Sequence, residues 1–228
     1  MSQVRSRNKA PLSIVPVQRA TMQDDVYRQA KQLILNGELP PGQSITIQWL
    51  ADLFGVSAMP VREAILRLTG EKALTVVAGR SLGIPPLTRA RLDDLTRTRM
   101  EIETLAVTWA TQVVDTAGIA ELDRLVTRMV DIEPGDEARK IYLRANREFH
   151  FAVYRASGSE TLMGIIEGLW LQISPYFNLL QERGNYPVSN RHHRALVAAL
   201  RQRDGDAAAD ALRQDIRDAA DVLRSMTF

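Results

Sequence analysis

Between residues 22 and 70 apolar side chains return every three or four positions, in three bursts separated by turn-forming residues. Val26, Ala30, Leu33 and Ile34 make the first burst, and their spacing predicts an amphipathic helix. Thr21 with Asp24 three positions on reads as its N-terminal cap. Gly37 and the Pro40-Pro41-Gly42 turn end it. Leu50, Ala51 and Leu53 mark a short second helix closed by Gly55. Ser57 is expected to cap a third, whose core face is Val61, Ala64, Ile65 and Leu68. After Gly70 the period shortens. The run "ALTVVAGRSLGI" reads as two short strands around a glycine-containing turn. Three helices and then a hairpin is the order of a winged helix-turn-helix. "PPLTRA", residues 85 to 90, follows as a linker, because two prolines can neither extend a strand ladder nor enter a helix interior.

Beyond Thr88 the pattern is helical throughout. Helices are predicted over 88–114, 117–132, 136–157, 159–183, 188–203 and 205–226, and their mostly short connections imply an antiparallel bundle. Residues 1–20 mix basic, polar and proline residues without periodicity and read as a disordered arm. The expected fold class is therefore mostly α: a winged helix-turn-helix over 21–86 and an all-helical part over 87–228.

Composition removes several chemistries. The chain of 228 residues has no cysteine, which excludes disulfides, thiolate metal sites and a cysteine nucleophile. No apolar run approaches the roughly 18 residues of a membrane span, and the N-terminus lacks a signal peptide's apolar core, so a cytoplasmic location is expected. The net charge of +2 is unevenly spread. Residues 1–88 hold 10 Lys and Arg against 6 Asp and Glu, the remainder 19 against 21. A basic module joined to a mildly acidic one suits a nucleic-acid-binding unit attached to something else.

In a helix-turn-helix the second helix presents its N-terminal residues to the major groove. Gly55 supplies the sharp turn, and Ser57 leaves backbone N–H groups near a phosphate. Arg62 lies off the apolar stripe, one turn into the helix, where it can reach a phosphate or a guanine edge. Arg80, beside Gly79 at the wing tip, can reach the DNA backbone or minor groove. Residues 24–86 resemble the DNA-binding domain of the GntR family of bacterial repressors, through Pro41-Gly42, "LADLFGVS" at 50–57, "PVREAILRL" at 60–68 and Gly79-Arg80. This chain has Ala58-Met59 where the family usually has Arg-Thr, and Gln48 where some relatives place a DNA-contacting Arg. The resemblance implies DNA binding, and the departures imply a different operator sequence.

The bundle carries polar residues within apolar stripes on four helices. Arg99 lies among Leu92, Leu95, Ile102 and Ala106, and Asn146 and His150 are one turn apart on a face continued by Val153. His193 leads Leu196, Val197 and Leu200, and Asp215 lies among Ala208, Leu212, Ile216 and Ala219. Separate burial of these groups would be costly, so convergence on one another or on a ligand is expected. Neighbouring His192 is expected to face solvent. Imidazoles and a carboxylate from facing helices suit zinc, nickel, manganese or iron, and Asn146 can add a weak carbonyl oxygen.

The stretch from about 89 to 223 resembles the FCD effector domain, through "RMEIE" at 99–103, "NREFH" at 146–150, "HRALVAAL" at 193–200 and "DGDAAADALRQDI" at 204–216. Six helices match its shorter, VanR-like form. The resemblance implies a divalent metal on Asn146, His150, His193 and Asp215, with Arg99 facing a small carboxylate effector. Asp215 stands where that pattern usually has its last histidine. It also implies a homodimer that binds a two-fold operator, most naturally as a repressor. Two further readings stay open: the same regulator with a metal-free anion site, and a metal-dependent enzyme. Against the enzyme, no general base is recognisable, and Glu148 lies on a different helical face from His150.

Overall fold

The computed structural model describes residues 22–77, 81–132, 137–180 and 186–226. Helices α1 (Met22–Leu35), α2 (Ile47–Phe54) and α3 (Ala58–Gly70) precede a hairpin of β1 (Thr75–Val76) and β2 (Leu82–Gly83). The strands pair antiparallel, Thr75 opposite Gly83 and Val76 opposite Leu82. Ile45 adds a bridge to Leu82 that the sequence pattern does not announce. The wing is thus stitched to the segment that leads into α2. Gly55 takes a left-handed conformation at φ 65° and its N–H closes α2 onto Ala51 and Asp52, as a C-terminal glycine does. Thr21, the hairpin tip with Gly79 and Arg80, and the expected N-terminal arm lie outside the described residues.

Leu53 lies within α2 as expected and is 54 % exposed. The inward stripe of α2 runs through Ile47, Leu50, Ala51 and Phe54, a helical i, i+3, i+4, i+7 set that leaves Leu53 off the face. Ser57 occupies the N-cap position of α3, yet its hydroxyl makes no capping bond. The reason is local. The third residue of the helix is Pro60, which has no N–H for that oxygen to accept.

The bundle consists of α4 (Arg89–Val113), α5 (Thr116–Val130), α6 (Ala138–Arg155), α7 (Glu160–Ile173), α8 (Tyr186–Gln202) and α9 (Gly205–Ser225). Helix α9 packs along α4 and α8, and α5 packs against α6 and α8. Four starts are capped by side chains that accept from a backbone N–H three residues on: Thr88, Asp115, Ser159 and Asp204. Such caps contribute about 1 kcal/mol each. The single helix expected over 159–183 is broken. After Ile173 the chain tightens into a 3₁₀ helix, Ser174–Leu179, with Pro175 in its first turn. Proline cannot donate the bond that would continue α7, so the chain must start a new turn there.

That 3₁₀ helix joins the bundle to the winged helix. Tyr176 donates its hydroxyl to the Pro85 carbonyl, and Asn178 Nδ2 donates to Gly37 O at 2.8 Å and Pro175 O at 3.0 Å. Gly37 has φ +69°, and a Cβ there would stand 2.8 Å from Asn178 Nδ2. Lys31 on α1 adds an ion pair with Glu167 on α7 at 2.7 Å.

Candidate functional site

Two regions carry the polar residues singled out by the sequence. The first is the N-terminal end of α3. Ser57, Met59 and Arg62 are exposed and Ala58 is partly covered, while Val61, Ala64, Ile65 and Leu68 hold the opposite face in the core. Met59 is 62 % exposed. Arg62 makes no ion pair among the described residues, whereas Arg67, one turn and a half further on, lies over the Tyr27 ring at 3.7 Å and pairs with Asp24 at 2.9 Å. Arg67 therefore anchors α3 to α1, and Arg62 is left facing solvent. Gln48 is exposed at the start of α2 and donates to Asp52 at 2.8 Å.

The second region lies inside the bundle. His150 from α6, His193 from α8 and Asp215 from α9 are all buried and bring one ligand atom each to a common point. His150 Nε2 is 3.2 Å from His193 Nε2 and 3.3 Å from Asp215 Oδ2, and His193 Nε2 is 3.7 Å from that oxygen. A tetrahedral ion with ligand distances of about 2.0–2.1 Å needs donor atoms about 3.3 Å apart, so this triangle fits a divalent metal such as zinc. Asn146, one turn before His150, lines the adjoining cavity with Arg99, Tyr142, Trp170, Phe177 and Tyr186. His192 is not solvent-facing as expected. Its side chain is half-buried and its Nε2 lies 2.8 Å from Asp218.

Around this point lie partners that the sequence reading missed. Arg99 is clasped by Glu103, Nε to Oε1 at 2.6 Å and Nη2 to Oε2 at 3.3 Å. Tyr154 donates to Glu103 Oε2 at 2.5 Å, and its oxygen lies 3.3 Å from His150 Nδ1. Ser189 donates to Asp215 Oδ1 at 2.5 Å and faces His193 Nε2 at 3.3 Å. A signal for all three exists in the sequence. Each stands four residues from a residue already singled out, on the same helical face: Glu103 from Arg99, Tyr154 from His150, Ser189 from His193.

Burial pulls the His193 imidazole below its ordinary range against the pull of Asp215, because desolvation disfavours the charged ring. For Asp215 burial acts to raise the carboxyl, but the two imidazoles at its face outweigh it and hold the group well below the usual range. A neutral, lone-pair-bearing imidazole beside an ionised carboxylate is the protonation state that metal coordination requires.

Residues 94–218 match the FCD domain family, and residues 22–84 match the family described as bacterial regulatory proteins, gntR family. The chain is similar to the HTH-type transcriptional regulator McbR of Escherichia coli (strain K12), 30 % identical over 87 % of this chain and 90 % of that one. It is also similar to the HTH-type transcriptional repressor GlaR of the same organism, 25 % identical over 84 % of this chain and 91 % of that one. The solved structure of E. coli McbR/YncC superposes with a TM-score of 0.80 at 29 % identity, covering 91 % of this chain and 99 % of the other. A GntR regulator structure from Rhodococcus sp. RHA1, at 19 % identity and a TM-score of 0.73, shares the fold.

Proposed function

The chain belongs to the GntR family of bacterial transcriptional regulators, with an FCD domain as its C-terminal part, and on that premise we propose that it is a cytoplasmic, dimeric repressor whose operator affinity responds to a small carboxylate bound at a divalent metal. Families and relatives of this kind are regulators, not enzymes. The observation that carries the sensing half is the convergence of His150 Nε2, His193 Nε2 and Asp215 Oδ2 at the wall of a cavity lined by Arg99 and Asn146. Asn146, His150, His193 and Asp215 would hold the metal. When bound, the metal supplies a fixed positive charge and open coordination positions for a carboxylate oxygen.

The charge inventory favours this reading over a metal-free anion site. Arg99 is the cation among the described lining residues, and Glu103 already neutralises it. Asp215 adds a carboxylate, and burial disfavours the charged form of His193. An anion entering that cavity meets a surplus of negative charge unless a cation is present.

Reading of DNA falls to Ser57, Ala58, Met59, Arg62 and Gln48, with Gly79-Arg80 of the wing. Among the described residues the Ser57 hydroxyl makes no capping bond and Arg62 no ion pair, which suits both to phosphate, and Ala58 and Met59 offer apolar contact to thymine methyls. Dimerisation is assigned to α4. Leu105, Trp109 and Val113 recur every four residues on its outer face and are 40 %, 44 % and 62 % exposed, and residues 104–114 of that helix and its cap contain no charged side chain. A second copy laid on this stripe gives two winged helices and a two-fold operator. The route between sites is the 3₁₀ helix: Phe177 lines the cavity while Tyr176 and Asn178 on either side hold Pro85 and Gly37.

The test is fluorescence anisotropy with DNA from upstream of the gene, using untagged protein whose metal content has been measured. Sequence-selective binding that weakens steeply with salt is expected, with stoichiometric metal in the protein. Binding equal on scrambled DNA would overturn the regulator reading, and absence of bound metal after purification and zinc titration would overturn the metal site.

A further inference from the structure

The two histidines at the metal point are held differently. Tyr154 has one hydroxyl proton, and Glu103 Oε2 takes it at 2.5 Å. Glu103 is fully buried and clasped by Arg99 through two N–H groups, so both of its oxygens act as acceptors. At its other side, 3.3 Å away, the Tyr154 oxygen meets His150 Nδ1 with only lone pairs to offer. Nδ1 must therefore carry a ring proton, which makes Nε2, the atom facing His193 and Asp215, the nitrogen available to a metal. His193 has no such support, since its Nδ1 is buried without a hydrogen-bond partner among the described residues.

We propose that Tyr154 is a positioning residue for the metal site, the middle of a buried relay in which Arg99 orients Glu103, Glu103 orients the Tyr154 hydroxyl and Tyr154 sets the tautomer of His150. The relay rests on the metal reading above and assigns work to three groups that touch no metal. It also gives Arg99 a role before any effector arrives. Its guanidinium, 5.4 Å from the Trp170 ring centroid and 5.6 Å from that of Phe177, is fixed by stacking, and its charge is spent on Glu103. Without the Tyr154 oxygen, the opposite tautomer wins. His150 Nε2 would then carry the proton and donate it to Asp215 Oδ2, 3.3 Å away, so the lone pair needed by the metal would point at an empty partner position.

The experiment compares wild type with Tyr154→Phe, which keeps the ring among Phe151, His150 and Trp170. Zinc affinity is measured by competition with a chromophoric chelator, and imidazole tautomers are read by nitrogen NMR on the full-length, chelator-treated protein. The chain has three histidines, so the signals are assignable. Loss of an orienting partner typically weakens a metal site 10–100-fold, and a loss of about that size is expected for Tyr154→Phe. His150 should also switch from the Nδ1–H to the Nε2–H tautomer, with cooperative unfolding retained. Unchanged affinity, or a lowered affinity with His150 still in the Nδ1–H form, would overturn the relay. No zinc binding by wild type would instead overturn the metal reading itself, an outcome visible before any variant is made.

Discussion

At the scale of single residues, position along the chain says which side chains interrupt an apolar stripe, and distance says what they do there. His193 illustrates the consequence for pH. Its folded value is depressed, so the unfolded chain takes up this proton at a higher pH than the folded protein does. The stability that follows is fully present above the ordinary imidazole value of about 6.5 and is lost as pH falls below it. Asp215 is depressed too, but its contribution is lost only below the ordinary carboxylate value of about 3.9. Urea denaturation of chelator-treated protein between neutral pH and mildly acid pH should therefore show falling stability for wild type and a flatter profile for His193→Gln. Parallel profiles would assign the pH dependence elsewhere.

At the scale of elements, caps and breaks follow local chemistry closely enough to be ranked. Asp115 and Asp204 accept from Gly118 N at 2.7 Å and Ala207 N at 2.9 Å, so Asp115→Ala or Asp204→Ala should cost about 1 kcal/mol in denaturation experiments. Ser57→Ala should cost markedly less than either, because Pro60 has already removed the donor, while DNA affinity falls. An equal loss of stability at Ser57 would contradict the missing cap bond. Gly37→Ala faces both a left-handed backbone and the Asn178 amide. A loss of about 1–2 kcal/mol from the backbone alone is expected, visible as a lowered melting temperature.

At the scale of the whole molecule the question is how the bundle, the winged helix and a second copy are connected. Trp109→Arg places a charge in the middle of the α4 stripe. Light scattering should report a monomer, and operator binding should weaken sharply while the isolated fold survives. A variant that remains dimeric would move the interface off α4. Removal of the junction bonds with Tyr176→Phe and Asn178→Ala should speed amide hydrogen exchange at the C-terminal end of α1 and leave α4 and α9 protected. Unchanged exchange in α1 would show that the 3₁₀ helix is not its anchor.

Much of this architecture was legible in local pattern. The order of three helices and a hairpin, the left-handed Gly55 and six stretches of helical period follow from side-chain chemistry within a few residues, because caps, turns and amphipathic faces are local. So did the choice of Arg99, His150, His193 and Asp215, since polar groups on an apolar face must find partners. Helix 159–183 failed because periodicity alone hid the break that Pro175 imposes. The tertiary structure alone decided which polar groups meet. It set two imidazoles and a carboxylate from three helices 3.2–3.7 Å apart and placed Phe177 between a cavity and the linker to the winged helix. His150 and His193 stand 43 positions apart in the chain and Gly37 and Asn178 141, and no local preference encodes a distance across a packed core.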